Sequence, residues 1–404
     1  MKLSRLRFAS RMQDLRTSDI REILKVTQQP EIISFAGGLP ASELLPAAEM
    51  AEPARDLLLE DGVKALQYAP TEGLDTLREL IAVRLQKLWG MRRSTDEVLI
   101  VSGSQQALDL TGKLFLDEGD VVLCESPTYL GAIGALRAYR PTFVEVATDD
   151  DGMVPAELEA RLDSLDRVKL IYVVPDFQNP SGRRWSIDRR RRLAELAARF
   201  DVPVIEDAPY AELCFEGEAL PPVASLADGC TVVYMGTASK ILSPGLRLGW
   251  VVADSDIVRR YVLVKQGTDL HTSSLVQLLA ARFMLDHDLE AHIARIRDVY
   301  RKRRDAMLAA LEVYFPENIS FTRPAGGLFL WVELPEGTDA RYLLERALEE
   351  KVAFVPGESF FPGGGHENTL RLNFSAMPED RITEGIRRLG RVLSSVTADN
   401  LAAV

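Results

Sequence analysis

The 404-residue chain holds only three cysteines, Cys124, Cys214 and Cys230, far apart and without a CxxC pair, and only four histidines, His271, His287, His292 and His366, equally scattered. Neither a disulfide framework nor a zinc site is suggested, and no metal is expected. No apolar run approaches the roughly 20 residues that cross a bilayer. Lys2, Arg5 and Arg7 open the chain, but no apolar stretch follows them as in a secretory signal. Positive charge is also in deficit: 60 acidic side chains against 48 Lys and Arg give a net −12, which removes any general electrostatic attraction to nucleic acid. Internal repeats and low-complexity tracts are missing as well. These absences leave a cytoplasmic protein whose partners are small molecules.

With 47% hydrophobic residues the chain can bury an extensive core, and its length predicts two lobes. From about residue 96, short β-branched runs alternate with helix-period stretches, the pattern of a βαβ sheet with helices on its faces. Seven runs read as strands: residues 98–101, 121–124, 143–146, 170–174, 202–206, 232–235 and 248–253. Most are continuously apolar, as expected of strands buried on both faces. Crossover helices are expected over 106–116 and 189–200, the second with Ser186 as N-cap and Asp188 in its first turn. After about residue 290 a long charged amphipathic helix, 291–313, precedes strands at 328–334, 353–355 and 370–374, which reads as a separate α+β lobe. The first forty residues hold a short helix over 19–27 and the Gly37-Gly38-Leu39-Pro40 turn, too little to fold alone. The expected division is an N-terminal segment 1–44 packed on the small domain, a large domain 45–290 and a small domain 291–404, with the site where the lobes meet.

Chemistry concentrates at the ends of the predicted strands. Thr237-Ala238-Ser239-Lys240-Ile241-Leu242-Ser243-Pro244-Gly245-Leu246-Arg247 follows a buried strand and gathers hydroxyls and two cations in one turn, which suits a phosphate. A lysine amine beyond a strand end, shielded from water and near another cation, loses basicity and can attack an aldehyde; Lys240 fits that nucleophile. One βα unit earlier, Glu206-Asp207-Ala208-Pro209-Tyr210 ends a strand with a carboxylate and a phenol, and Asp207 suits a pyridinium nitrogen. Asn179, within Pro175-Asp176-Phe177-Gln178-Asn179-Pro180-Ser181-Gly182, follows the strand before that, where α/β sheets place ligand groups. Ser102-Gly103-Ser104-Gln105-Gln106-Ala107 is a small-residue turn opening a helix whose free N–H groups suit a phosphate. Singly, each reads equally well as a turn, a cap or core; their order along one sheet edge points to a site.

With Ser34-Phe35-Ala36-Gly37-Gly38-Leu39-Pro40 ahead of them, these segments resemble the fold-type I pyridoxal-phosphate enzymes, specifically the class I/II aminotransferases, over essentially the whole chain. The likeness is greatest to the 2-aminoadipate, kynurenine and valine-type members. It implies an α/β fold: a large domain with a mainly parallel seven-stranded sheet between helices, plus a smaller α+β domain. The cofactor implied is pyridoxal 5'-phosphate, held as a Schiff base on Lys240, with Asp207 on the pyridine nitrogen and Asn179 with Tyr210 on the phenolic oxygen. Its phosphate would be held by Ser104, Gln105, Thr237, Ser239 and Arg247. Tyr68, in Leu66-Gln67-Tyr68-Ala69-Pro70, would reach the phosphate from a neighbouring subunit, so a homodimer is implied. Arg371, in Thr369-Leu370-Arg371-Leu372-Asn373-Phe374, is matched to the arginine that grips the substrate's α-carboxylate through two parallel donors, with Gly38 and Asn179 beside it.

Two departures stand out: Tyr129 occupies the ring-stacking position that is tryptophan in aspartate-specific members, and Thr237 stands where serine is commoner. Arg21 on the N-terminal helix is matched to an arginine that 2-aminoadipate enzymes use for a distal carboxylate, and reads equally as a solvated side chain beside Glu22. The activity implied is transamination between an amino acid and a 2-oxo acid, glutamate and 2-oxoglutarate being the expected pair and 2-aminoadipate, aromatic or branched amino acids the candidate co-substrates. Lys240, Asp207 and Arg371 would serve β-elimination or decarboxylation equally. A non-catalytic sensor behind a DNA-binding domain is a third reading, disfavoured because the chain starts almost directly with this segment. The basic runs 189–192 and 301–304 fall in helical patterns and read as solvated faces.

Overall fold

The computed structural model describes residues 7–13 and 29–402. The helix expected over 19–27, and Arg21 with it, lies outside the described residues. After a 3-10 turn at Ser10–Gln13, the first strand is β1, Ile33–Ser34. The β-branched runs of the middle then assemble into one sheet from β2 (Val98–Val101), β3 (Val121–Ser126), β4 (Thr142–Asp149), β5 (Gly152–Met153), β6 (Val168–Val173), β7 (Val204–Asp207), β8 (Val232–Thr237) and β9 (Gly249–Val252). All seven expected strands are present. The eighth, β5, adds a two-residue hairpin at the edge of β4, too short to show a period in sequence.

The strand order is β2-β9-β8-β7-β6-β3-β4-β5. The β3–β4, β3–β6, β6–β7 and β7–β8 pairs are parallel, while β9 runs against both β2 and β8. The carboxyl ends of β2, β3, β6, β7 and β8 therefore lie along one edge together with the amino end of β9, where Gly249 pairs with both Val101 and Thr237. In sheets of this kind ligands bind at that edge. Helices cover the faces; that spanning Ile187–Phe200 begins as expected, the Ser186 hydroxyl accepting from the N–H of Arg189.

Beyond the 26-residue helix Leu289–Tyr314 come β10 (Ser320–Phe321), β11 (Phe329–Glu333), β12 (Val352–Ala353), β13 (Val355–Pro356) and β14 (Thr369–Asn373). Four of these form a sheet in the order β10-β11-β14-β13. The run expected as one strand at 353–355 is divided at Phe354: β12 pairs in parallel with β1, and β13 pairs with β14. The amide of Phe35 donates to Ala353 at 2.7 Å and that of Asn373 to Phe35 at 2.8 Å, which carries Ala36 and Gly38 past Arg371. Among the described residues no helix is long and apolar enough to cross a membrane.

The basic runs divide: Arg191, Arg301 and Lys302 face solvent as expected, whereas Arg190, Arg303 and Arg304 are buried in ion pairs. Arg303 pairs with Glu43, Arg304 with Glu216, and Arg301 and Lys302 with Asp298. Arg190 is fully buried, its guanidinium 2.6 and 3.1 Å from the two oxygens of Asp176, and it also donates to the carbonyls of Pro175 and Trp185. It thus pins the loop that carries Asn179 to a crossover helix. Arg190→Met would strand a buried carboxylate and is expected to lower stability by about 3–5 kcal/mol in urea denaturation; a loss near zero would mean that Asp176 finds water.

Candidate active site

The β2 strand ends at Val101, and the chain turns through Gly103 into the helix Ser104–Phe115. Gly103 sits at φ 82°, and a Cβ there would lie 2.7 Å from the Arg247 guanidinium. A Cβ on Gly249 would lie 3.0 Å from both the carbonyl carbon of Gly103 and the amide nitrogen of Ser104. Two missing side chains thus let a helix N-terminus and a guanidinium close on one spot. Arg247, at φ 49°, ends the short helical turn Pro244–Leu246 and is exposed. Thr237 and Ser239 are buried beside it, with their hydroxyls 3.0 Å apart. Amide, hydroxyl and guanidinium donors converging on one spot fit a phosphate.

Lys240 stands three residues beyond β8, and its amine donates to the carbonyl of Gly38 at 2.8 Å. Burial, with Arg371 and then Arg247 adding repulsion, lowers that amine to about 8. The free-base nucleophile is therefore fully present above that pH and lost by protonation below it. In the apoenzyme the rate of reaction of Lys240 with an aldehyde is expected to climb with pH and level off above about 8. Stopped-flow absorbance would measure it; a rate still rising at pH ~10 would mark an ordinary lysine.

On the neighbouring strand the Asp207 carboxyl is 2% exposed. One oxygen accepts the Tyr172 hydroxyl at 2.9 Å, and the other is buried with no partner. Burial raises the carboxyl to about 6, the Tyr172 bond opposing. An orphaned, desolvated carboxylate oxygen is unfavourable until a cationic N–H meets it, so this atom fits a protonated ring nitrogen.

From the four-stranded sheet, β14 presents Arg371, only 1% exposed. Its Nη1 donates to Asn179 Oδ1 at 2.7 Å and its Nη2 to the carbonyl of Ala36 at 2.6 Å, while its Nε is buried without a partner. The rings of Phe329 and Phe360 lie 4.2 and 5.1 Å from the guanidinium carbon. No carboxylate among the described residues pairs with it, and burial lowers it to about 10, the charge of Tyr210 and Tyr129 opposing. Tyr210 is buried beyond β7, with Asn179 close enough to influence its phenol, and stands edge-on to Phe329 at 5.8 Å. Tyr129, after β3, leaves no room for a side chain at Gly131, where a Cβ would sit 2.4 Å from its ring. Gln105 donates to the Gly131 carbonyl at 3.1 Å, and the Tyr129 phenol feels the charges of Asp207, Arg371 and Arg247.

All the candidate residues on the described chain except Tyr68 gather at this sheet edge. Tyr68 is 79% exposed and stands edge-on to His271 at 5.7 Å. Tyr172, Phe329 and Phe360 lie beside these residues and were not singled out in the sequence, where Tyr172 and Phe329 sit in apolar runs indistinguishable from core and Phe360 in a Gly- and Pro-bounded turn.

Residues 30–389 match the family described as aminotransferase class I and II. The chain belongs to that family. It is 46% identical to the 2-aminoadipate transaminase of Thermus thermophilus, over 95% of this chain and 96% of that one. It is 41% identical to aromatic-amino-acid aminotransferase 1 of Thermococcus litoralis, over 96% and 94%. Among solved structures, a kynurenine aminotransferase from Pyrococcus horikoshii in complex with PMP superposes with a TM-score of 0.93 at 43% identity, covering 96% of this chain and 97% of that one. This aminotransferase therefore has the fold-type I architecture, uses pyridoxal 5'-phosphate and catalyses transamination; elimination and sensing are not favoured.

Proposed function

We propose that this aminotransferase exchanges the amino group of glutamate with 2-oxoglutarate as one substrate pair, with 2-aminoadipate or an aromatic amino acid supplying the other. The observation that carries this reading is Arg371: a buried guanidinium without a counter-charge among the described residues, with a free Nε, in the same cleft as a lysine amine of lowered basicity. Such a cation is unfavourable until a carboxylate arrives, and its fork matches an α-carboxylate in two-point geometry. When bound, pyridoxal phosphate supplies an electron sink for the substrate's α-carbon. In this reading Lys240 holds the cofactor and, once released, moves the proton at the substrate's α-carbon. Asp207 keeps a proton on the ring nitrogen, Asn179 and Tyr210 donate to the phenolic oxygen, and Tyr129 stacks on the ring. Ser104, Gln105, Thr237, Ser239 and Arg247 hold the phosphate. Gly38 frees its carbonyl from the lysine and borders the substrate.

The division into a large unit, 45–290, and a small one, 291–404, is part of this proposal, each lobe contributing one half of the cleft. A homodimer is proposed as well. The helices Ala47–Glu60 and Gly62–Leu66 leave Leu59, Val63 and Leu66 exposed next to Tyr68, an apolar stripe that a second copy would cover while delivering Tyr68 to its phosphate.

The proposal is tested by mixing holoenzyme with single amino acids and identifying the acid released. Stoichiometric 2-oxo acid from glutamate and from 2-aminoadipate or an aromatic donor supports it; ammonia or carbon dioxide release contradicts it. Gly103→Ala is expected to weaken cofactor binding by about ten- to a hundredfold in equilibrium titration, because a Cβ at that positive φ meets Arg247.

A further inference from the structure

Tyr172 is the next-to-last residue of β6, with Ile205 of β7 as its paired residue on one side and Cys124 of β3 on the other. Side chains two apart on a strand share a face, so Asp207, two residues beyond Ile205, is the diagonal neighbour of Tyr172 on the same face. The ring crosses that diagonal and ends with its hydroxyl 2.9 Å from Asp207 Oδ2. Both side chains are almost wholly buried, at 1% and 2% exposure. Among the described residues this is the only hydrogen bond of the Tyr172 hydroxyl, and the only one that Asp207 accepts on its side chain.

A phenylalanine would fill nearly the same volume in this apolar strand, so what the tyrosine adds is one directed donor. The direction is settled by charge: burial beside Asp207 and Glu125 keeps the Tyr172 phenol protonated well above its usual range, so the O–H donates and the carboxylate accepts. Asp207 is left with one oxygen occupied and the other free and buried. The other groups that exert a charge effect with it are the phenols of Tyr129 and Tyr210, and neither is cationic.

We propose that Tyr172 is a positioning residue for transamination: by occupying Oδ2 of Asp207 it aims Oδ1 at the pyridine nitrogen and keeps the shared proton on that nitrogen rather than on the carboxylate. The proton has two resting places, the ring nitrogen beside a carboxylate or the carboxyl oxygen beside a neutral ring, and only the first gives a strong electron sink. A hydrogen bond to the carboxylate favours the first. Without it, burial alone acts on Asp207, and the proton moves back to oxygen. This inference rests on the placement of the ring nitrogen at Asp207 proposed above.

The test compares wild type with Tyr172→Phe, first as apoenzyme. With carboxyl-13C aspartate, and Asp207→Asn to identify the signal, the Asp207 titration midpoint is expected to rise by about one pH unit or more in Tyr172→Phe. In holoenzyme made with 15N-labelled pyridoxal phosphate, the ring-nitrogen signal should move toward its unprotonated position, with kcat down about tenfold and KM for the amino donor unchanged. A folded Tyr172→Phe protein with an unmoved midpoint and an unmoved nitrogen signal would overturn the inference, even if its stability were lower. If Tyr172→Phe does not fold, replacing Tyr172 alone by a fluorinated tyrosine, a stronger donor, should lower the midpoint, and no change would overturn it. A wild-type nitrogen signal that Asp207→Asn leaves in place would remove the cofactor placement itself, and the inference with it, whatever the apoenzyme midpoint.

Discussion

Lys240→Ala is expected to abolish transamination, lowering kcat by at least about 10^4-fold while leaving the fold and the binding of pyridoxal phosphate largely intact. The size follows from the number of tasks placed on one amine. In the proposed function it carries the cofactor and is released to act on the substrate's α-carbon, and its lowered basicity near 8 keeps a usable fraction unprotonated close to neutral pH. The neighbouring cations that act on it, Arg371 and Arg247, are guanidiniums, which stay charged near neutral pH and cannot take over its role. Removing the side chain also leaves the Gly38 carbonyl without its donor, a minor effect because that turn stays tied through Phe35 to Ala353 and Asn373. Small primary amines added to the variant should restore part of the activity, which a merely structural lysine would not allow. Single-turnover kinetics with glutamate would read both effects.

Arg371→Leu is expected to reduce kcat/KM for every amino donor by about 10^2- to 10^3-fold, with most of the change in KM. The guanidinium is 1% exposed between two phenylalanine rings and already donates to Asn179 and Ala36, so its orientation is set before substrate arrives. A lysine in its place would keep the charge and lose the fork, and Arg371→Lys should recover little. Steady-state kinetics with glutamate and an aromatic donor would decide; a fall below about tenfold for both would place the α-carboxylate elsewhere. Because Arg371 also bonds Asn179, the variant should disturb the cofactor spectrum as well as substrate binding.

The large sheet was legible because its strands are buried on both faces and so appear as uninterrupted apolar runs, as Val98–Val101 and Val232–Thr237 do. The two-residue β5 and the division of the 353–355 run into β12 and β13 were not, since neither is long enough to carry a period. In the site, Lys240, Asp207 and Asn179 were legible because each is a polar residue at or within a few residues of the carboxyl end of an apolar strand. The bond between Arg371 and Asn179 joins positions 192 apart in sequence, and only tertiary packing brings them together. Tyr172 was hidden for the opposite reason: a tyrosine within an apolar run looks like core, and only the position of its hydroxyl shows otherwise. Arg190 was hidden inside a basic run, where solvent was the simpler expectation and a buried ion pair the outcome.

The claim on which the rest depends is that Lys240 bears the cofactor, and chemical trapping tests it most directly. Holoenzyme is reduced with borohydride, digested, and the peptides identified by mass spectrometry. The account predicts a pyridoxyl-phosphate adduct on the peptide containing Lys240 and on no other lysine, and its loss in Lys240→Ala. An adduct on a different lysine, or none in a protein that binds the cofactor, would contradict it.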